Sequence, residues 1–311
     1  MLWLSIVLAV ILLYIALRGL DWANFLLALR RADYIYLPLM FVWSSLSCLL
    51  RALRWRILLT VEKDIPPSHV FWANMAGYLG NSILPARAGE LIRAAYLGGN
   101  GPVATSFALA TGLVERFVDL LALIVIGFTS LSLIGILFDS LKNALLSLSI
   151  AGLVGLGAIF FSIYFREQLL QIVMALPLLS PPTKEKLAEL VKQFLRGLDT
   201  LRSLKRVTVF ILFTTLIWTM DALGAILLAK ALHLTFSLLE AYLLLAALGL
   251  SSAVPSTPGY IGVYQFVAVL VLRPFGVSSA NALAFVLFIQ IMNYLTVTVW
   301  GGLALFRRSR A

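Results

Sequence analysis

The 311-residue chain is 61% apolar and only 12% charged, with a mean hydropathy of +1.00, far from soluble domains, in which roughly a quarter of residues are charged. That balance excludes an ordinary soluble enzyme or binding module and makes lipid the solvent for most of the sequence. A net charge of +10 reads as the Lys and Arg excess of inward-facing membrane loops rather than as a nucleic-acid face. One cysteine, Cys48, and two distant histidines, His69 and His233, provide neither an internal disulfide nor a His/Cys metal set.

The first segment, 1–17, carries no charge, lacks a basic stretch ahead of Leu2 and runs into Arg18 without a small-residue cleavage site, so it reads as a retained helix rather than a signal peptide. About 20 apolar residues cross the hydrocarbon core, and further spans are predicted at 34–55, 105–127 (reaching toward 137), 144–165, 207–229 and 276–306. Basic residues gather at Arg51, Arg54, Arg56 and Lys63, in the stretch Arg166 to Arg206 with its eight Lys and Arg, and at Arg307, Arg308 and Arg310. The positive-inside rule makes all three groups, and both termini, cytoplasmic.

With those orientations, segments 66–102 and 237–273 must each begin and end on one side of the membrane, as re-entrant hairpins do. Both are apolar and both break at similar punctuation, Asn81-Ser82-Ile83-Leu84-Pro85-Ala86-Arg87-Ala88-Gly89 and Ser251-Ser252-Ala253-Val254-Pro255-Ser256-Thr257-Pro258-Gly259. The second lies 170 residues after the first, with Ser, Pro and Gly in register. The same displacement carries 34–55 onto 207–229 and 105–127 onto 276–306, with opposite predicted orientation. The expected architecture is therefore an all-α polytopic membrane protein in one domain, 1–311: about six transmembrane helices and two oppositely oriented re-entrant hairpins in an inverted repeat. Its parts are a first helix and outer loop (1–33), repeat 1 (34–137), a span with a cytoplasmic amphipathic segment (144–206) and repeat 2 (207–306).

Non-helical backbone at membrane depth must be buried in protein or line a wet chamber. Pro85 and Pro255 suit the first turn of a second half-helix, with Ser82 and Ser252 as nearby caps. Two such helix N-termini aimed at the midplane favour an anionic group such as a phosphate. Arg87, Glu90 and Arg93, spaced by three, form a ladder of alternating sign that either binds a headgroup or braces the hairpin. Glu115, Arg116 and Asp119 in the next span, with Asp221 in the fifth, are charge-coupling candidates or fixed inter-helix salt bridges. The headgroup set is thus Asn81, Ser82, Arg87, Glu90, Arg93, Ser252, Ser256 and Thr257, and the hinges are Pro85, Gly89, Pro255, Pro258 and Gly259. Residues 183–206 place leucines at helical spacing opposite Lys184, Lys192, Arg196, Arg202 and Arg206, an amphipathic helix for the anionic leaflet or for the protein's own cytoplasmic face. Gly152, Gly155 and Gly157 lack a βαβ context and read as close helix packing.

The run from Asn81 to Arg93, Glu115-Arg116-Phe117-Val118-Asp119 and Pro255-Ser256-Thr257-Pro258-Gly259-Tyr260-Ile261-Gly262-Val263 resemble the flippase-like family that includes the transmembrane domain of lysylphosphatidylglycerol synthases, the UPF0104-type membrane proteins. The resemblance implies movement of an anionic or glycosylated lipid, an aminoacylated phospholipid or a polyprenyl-linked sugar, between leaflets of the cell membrane. Only Arg307 to Ala311 follow the last span, so the soluble aminoacyl-transfer domain of those synthases, and hence enzymatic lipid lysylation, is not expected. Family members often carry Glu shortly after the second Pro-Gly motif, where this sequence has Gln265. A cofactor and a catalytic set are likewise not expected. The expected partners are a lipid substrate and the bilayer, with homo-oligomerisation open. The competing reading is a non-transporting partner that scaffolds a glycosyltransferase or lipid synthase through the 166–206 loop.

Overall fold

The computed structural model describes residues 2–60, 63–84, 88–99, 103–135, 164–177, 180–199, 203–252 and 258–308, with isolated positions 147, 150, 154 and 161. The described residues are helical, with no strand among them. In chain order the helices are α1 (Leu2–Leu17), α2 (Trp22–Arg31), α3 (Tyr36–Leu59), α4 (Pro67–Ile83), α5 (Gly89–Gly98), α6 (Thr105–Ile134), α7 (Arg166–Ala175), α8 (Pro181–Leu198), α9 (Leu204–Ala231), α10 (Leu238–Ser251), α11 (Val263–Leu272) and α12 (Ser279–Arg308). Four of these, α3, α6, α9 and α12, are each long and apolar enough to cross a membrane. The predicted span 144–165 lies almost wholly outside the described residues.

Local chemistry sets the helix ends. Asp21 accepts from Asn24 N at 3.0 Å and opens α2, while Ser237 and Glu240 form a reciprocal capping box at the head of α10, so the first orphan N–H groups are satisfied without water. Prolines sit in the first turns of α4 and α8, where the missing N–H costs nothing. Gly135, at φ +73°, closes α6 in the left-handed conformation that glycine adopts without penalty.

Two boundaries differ from the sequence reading. Residues 22–31, taken as outer loop, form a helix that turns 88° from α1 and packs on α12. Its Phe25, Ala28 and Leu29 join the core, while Trp22, Leu26 and Leu27 stay exposed. More consequentially, α3 runs four residues past the predicted end, to Leu59, and Arg51 and Arg54, grouped by the positive-inside rule with the cytoplasmic basic cluster, find their partners in the protein interior. Residues 183–198 are helical as expected, and α8 docks on α6 through Ala188, Leu195 and Leu198, leaving Lys186, Lys192 and Arg196 exposed.

Apolar residues face both outward and inward. Leu113, Val125, Phe128, Ile211, Leu212, Ile291, Leu295 and Val299 are exposed on the long helices, as lipid contact allows. Inside, among the described residues, lie two large apolar cores and two smaller clusters. One large core, around Trp55, Leu58, Phe107 and Phe210, joins α3, α4, α5, α8, the start of α9 and the first half of α6; the other, around Leu244, Phe285 and Phe288, joins α9 to α12 and the second half of α6. The helix α6 therefore threads both large cores.

The pairings are reciprocal. Helix α4 packs on α5 as α10 packs on α11; α5 on α6 as α11 on α12; α3 on α4 as α9 on α10; and between the two sets α6 packs on α10 as α12 packs on α4, with α3 against α9. Small residues make the closest of these contacts. A Cβ on Gly89 would lie 2.0 Å from the Gly77 carbonyl oxygen and 2.5 Å from Asn81 N, so α4 and α5 meet backbone to backbone, as small residues permit in membrane helices. Gly89→Val forces the pair apart and is expected to cost more than about 4 kcal/mol, read as a collapse of the thermal transition in detergent. Gly302→Ala, whose Cβ meets nothing within 4 Å inside α12, keeps the transition or raises it slightly, as Ala favours a helix interior over Gly by about 0.5–1 kcal/mol.

Candidate functional site

Four arginines and four carboxylates from four helices converge in the interior. Arg54 of α3 is the most enclosed, with 0% exposure, and so is Glu115 of α6. Arg54 grips Asp119 with both terminal nitrogens, at 2.6 and 2.8 Å, and reaches Glu115 at 2.9 Å and the Thr214 hydroxyl at 3.2 Å. The forked guanidinium suits such two-point recognition. From the other side Arg93 of α5 donates to Glu115 at 2.8 Å and to Asn74 of α4 at 3.0 Å, lies 2.9 Å from Glu90 and stacks 4.1 Å over the Trp55 ring. Trp55 in turn donates to Thr111 at 3.1 Å. Glu90 also receives Arg116 Nε at 2.9 Å, and Arg116 stands 3.7 Å from Asp119. Arg51 pairs with Asp221 of α9, which accepts a further hydrogen bond from Ser47 at 2.7 Å. Arg51, Arg54, Arg93 and Arg116 thus meet Glu90, Glu115, Asp119 and Asp221 with no net charge, the arrangement that makes buried ions tolerable.

The lattice forms one wall of a cavity of about 420 Å³, within the range of ligand pockets. Arg51, Asn81, Ser82, Glu90, Arg116, Asp119 and Asp221 line it with Tyr78, Cys48, Ser44 and Ser47; Ser252, Gly259, Tyr260, Tyr264, Gln290, Asn293 and Tyr294 of the second half close the opposite wall. Both broken segments therefore reach one chamber.

Against the sequence reading, Asn81, Ser82, Glu90, Arg116, Asp119, Asp221, Ser252 and Gly259 are brought together on that chamber. Arg93, read as a headgroup ligand, is not on the lining: it is 1% exposed and its charge is committed to Glu115 and Glu90. Glu115 and Asp119 form inter-helix salt bridges, to Arg54 of α3 and, at Glu115, also to Arg93 of α5. Ser82 and Ser252 are not the caps of the following helices. Ser82 donates back to the Tyr78 carbonyl at 3.0 Å and Ser252 to the Gly249 carbonyl at 2.5 Å, and α5 and α11 are headed by Ala88 and Gly262. Pro85, Arg87, Pro255, Ser256 and Thr257 lie outside the described residues, and Pro258 opens a single 3-10 turn, Pro258–Tyr260.

Sequence reasoning missed Arg51, Arg54 and Gln290. The signal for the first two was available: an i,i+3 pair of arginines embedded among apolar residues on a helix has a partner to find. Gln290 joins a polar chain that fixes the second break. Gly262 N–H donates to Gln265 at 2.7 Å, Gln265 to Gln290 at 2.6 Å, and Gln290 to the Gly259 carbonyl at 2.9 Å. Gly259 sits at φ +73° with the Tyr294 hydroxyl pressed against it, where a Cβ would be 1.2 Å away, so glycine is required for both reasons.

An apolar-skinned helical bundle that buries a neutral ionic lattice beside a polar chamber is a polytopic integral membrane protein. Residues 2–301 match the lysylphosphatidylglycerol synthase TM region, and the chain belongs to that family. It is similar to a UPF0104 membrane protein of Methanocaldococcus jannaschii, at 23% identity over 73% of this chain and 92% of that protein. A UPF0104 membrane protein of Methanothermobacter thermautotrophicus is 24% identical over 89% of this chain and 87% of its own length. No solved structure matches.

Removing Arg54 leaves the fully buried Glu115 and the nearly fully buried Asp119 with one cation fewer, so Arg54→Ala is expected to destabilise the protein by about 3–5 kcal/mol. Arg51→Ala leaves Asp221 partly exposed and still bonded to Ser47, and costs less than half as much. Thermal unfolding of the two variants in one detergent checks the order.

Proposed function

We propose that the chain is a lipid translocase that passes an anionic or glycosylated headgroup between leaflets through the 420 Å³ chamber, with the hydrocarbon tails left in apolar surroundings. The observation that carries this reading is the composition of the chamber wall: arginines, amides and hydroxyls in the middle of helices whose outer faces are apolar. A set this costly to bury is placed where a polar solute must cross.

In this reading the broken pairs α4–α5 and α10–α11 are re-entrant hairpins entering from opposite leaflets, and α3–α6 and α9–α12 are the two halves of an inverted repeat. The reciprocal helix pairings support a two-fold relation, and the basic clusters support opposite orientation with both termini cytoplasmic. The arginines that meet a phosphate are Arg51 and Arg116, which line the chamber. Arg54 and Arg93 hold the wall. Arg116 is the looser of the two lining cations, shared between Glu90 at 2.9 Å and Asp119 at 3.7 Å, so an incoming phosphate displaces Asp119 at little cost. No covalent step is assigned to the chain, and a scaffold for a lipid-modifying enzyme is the reading that failure of transport would favour.

The test is exchange of a labelled anionic phospholipid across proteoliposome membranes. Arg116→Ala leaves Glu90 with Arg93 and Asp119 with Arg54, so folding is retained while exchange falls about tenfold or more, equivalent to about 1.4 kcal/mol on the barrier. Arg51→Ala lowers it in the same direction. Wild-type protein that moves no lipid, or two variants that move it at the wild-type rate, would overturn the assignment.

A further inference from the structure

A second cavity, of about 440 Å³, lies beside the polar chamber and is of opposite character. It is a groove between α6, α9 and the start of α10, floored by Val118, Ala122 and Val125 on α6, Ile211 and Thr215 on α9, and Tyr242 on α10. All but Tyr242 belong to helices long enough to span the membrane, and Val125 and Ile211 are exposed on the outer face, so in the translocase reading the groove opens toward lipid. Trp218 borders both cavities. One helical turn along the same face of α9, Asp221 lines the chamber, while Ile211 and Thr215, a turn or two the other way, line the groove, so the two cavities succeed one another along one face of α9.

Trp218 is suited to be a movable partition. The Arg51 guanidinium lies 5.2 Å over its ring, and its indole nitrogen is buried without a hydrogen-bond partner among the described residues. A cation over an aromatic face attracts it without fixing its orientation as a hydrogen bond does. The same Arg51 faces the chamber, where phosphate would draw it off the ring.

We infer that the groove seats one acyl chain of the lipid whose headgroup occupies the chamber, with Trp218 standing at the junction between them. This deepens the translocase reading and rests on it. The occupant is a hydrocarbon chain because the lining offers methyl, methylene and ring surface with few polar groups, and because the groove adjoins the headgroup site through one side chain. A tail held there keeps the lipid in register while the headgroup changes partners, and engagement of head and tail together raises effective affinity as linked ligands do.

The experiment uses the full chain in proteoliposomes and two photoreactive phosphatidylglycerols, one with a diazirine in the acyl chain and one with it on the headgroup; labelled residues are read by mass spectrometry. Acyl-chain labelling on 118–125 and 211–218 is expected to saturate and to be competed by unlabelled phosphatidylglycerol. Filling the groove with Ala122→Trp cuts the saturable part about tenfold, the effect of losing about 1.4 kcal/mol of affinity, while headgroup labelling in the chamber stays saturable. Thr215→Trp, from the other wall, gives the same result and guards against a folding defect in the first variant. Acyl labelling that rises in proportion to probe and resists competition marks ordinary annular lipid. If headgroup labelling still saturates, that result overturns the tail seat alone. Absence of saturable labelling from both probes overturns the translocase reading and the tail seat with it.

Discussion

Arg54 is the charge around which the interior is assembled. Its guanidinium holds Glu115 and Asp119 on one face of α6, and Arg93 binds the other carboxylate oxygen of Glu115, so α3, α5 and α6 are joined at a buried point behind the chamber wall. Ion pairs at such depth return little net stability over apolar packing, yet become costly when one partner is missing. The lattice is therefore demanding rather than merely adhesive: each helix must arrive in one rotation and at one depth for the charges to cancel. This fixes the wall of the chamber before any ligand enters.

How much of this was legible in the sequence depended on which rule governed each residue. Apolar length located α1, α3, α6, α9 and α12 to within a few residues, because the hydrocarbon thickness leaves little freedom there. The two breaks were equally visible, since Pro, Gly and Ser at membrane depth require an internal home. Arg51 and Arg54 were misplaced by the positive-inside rule, which counts basic residues near a helix end without asking whether they lie beyond it. The predicted span 34–55 already held Arg51 and Arg54, but grouping them with Arg56 and Lys63 as a cytoplasmic cluster kept them from being matched to the carboxylates of α6 and α9. With Arg54 unassigned, the partners of Glu115 and Asp119 stayed open, and Arg93 read either as a headgroup ligand or as a brace; in the structure its charge goes to Glu115 and Glu90.

The helix Trp22–Arg31 was missed for a different reason. Ten residues with paired arginines at the end resemble a connection, and only the Asp21 cap with apolar positions Phe25, Ala28 and Leu29 on one face marks them as helical. Ser82 and Ser252 show the limit of cap reasoning at the end of a helix, where a hydroxyl can bond a carbonyl of its own preceding turn instead of heading the next helix.

The two breaks are held by different chemistry for what is mechanically one task. In the first half Arg116 ties α6 to Glu90 at the head of α5; in the second, Gln290 ties α12 to the Gly259 carbonyl, and Gln265 links Gln290 back to Gly262. Gln265 accepts on one side and donates on the other, which only an amide among the side chains of its shape can do without a proton. A carboxylate there would serve Gly262 but leave the Gln290 oxygen without its donor. The neutral latch keeps its geometry whatever ion stands in the chamber, whereas Arg116 can exchange Glu90 or Asp119 for a phosphate. In the translocase reading, then, charge recognition belongs to the first break and shape to the second, and the headgroup alters the contacts on one wall against another that stays fixed.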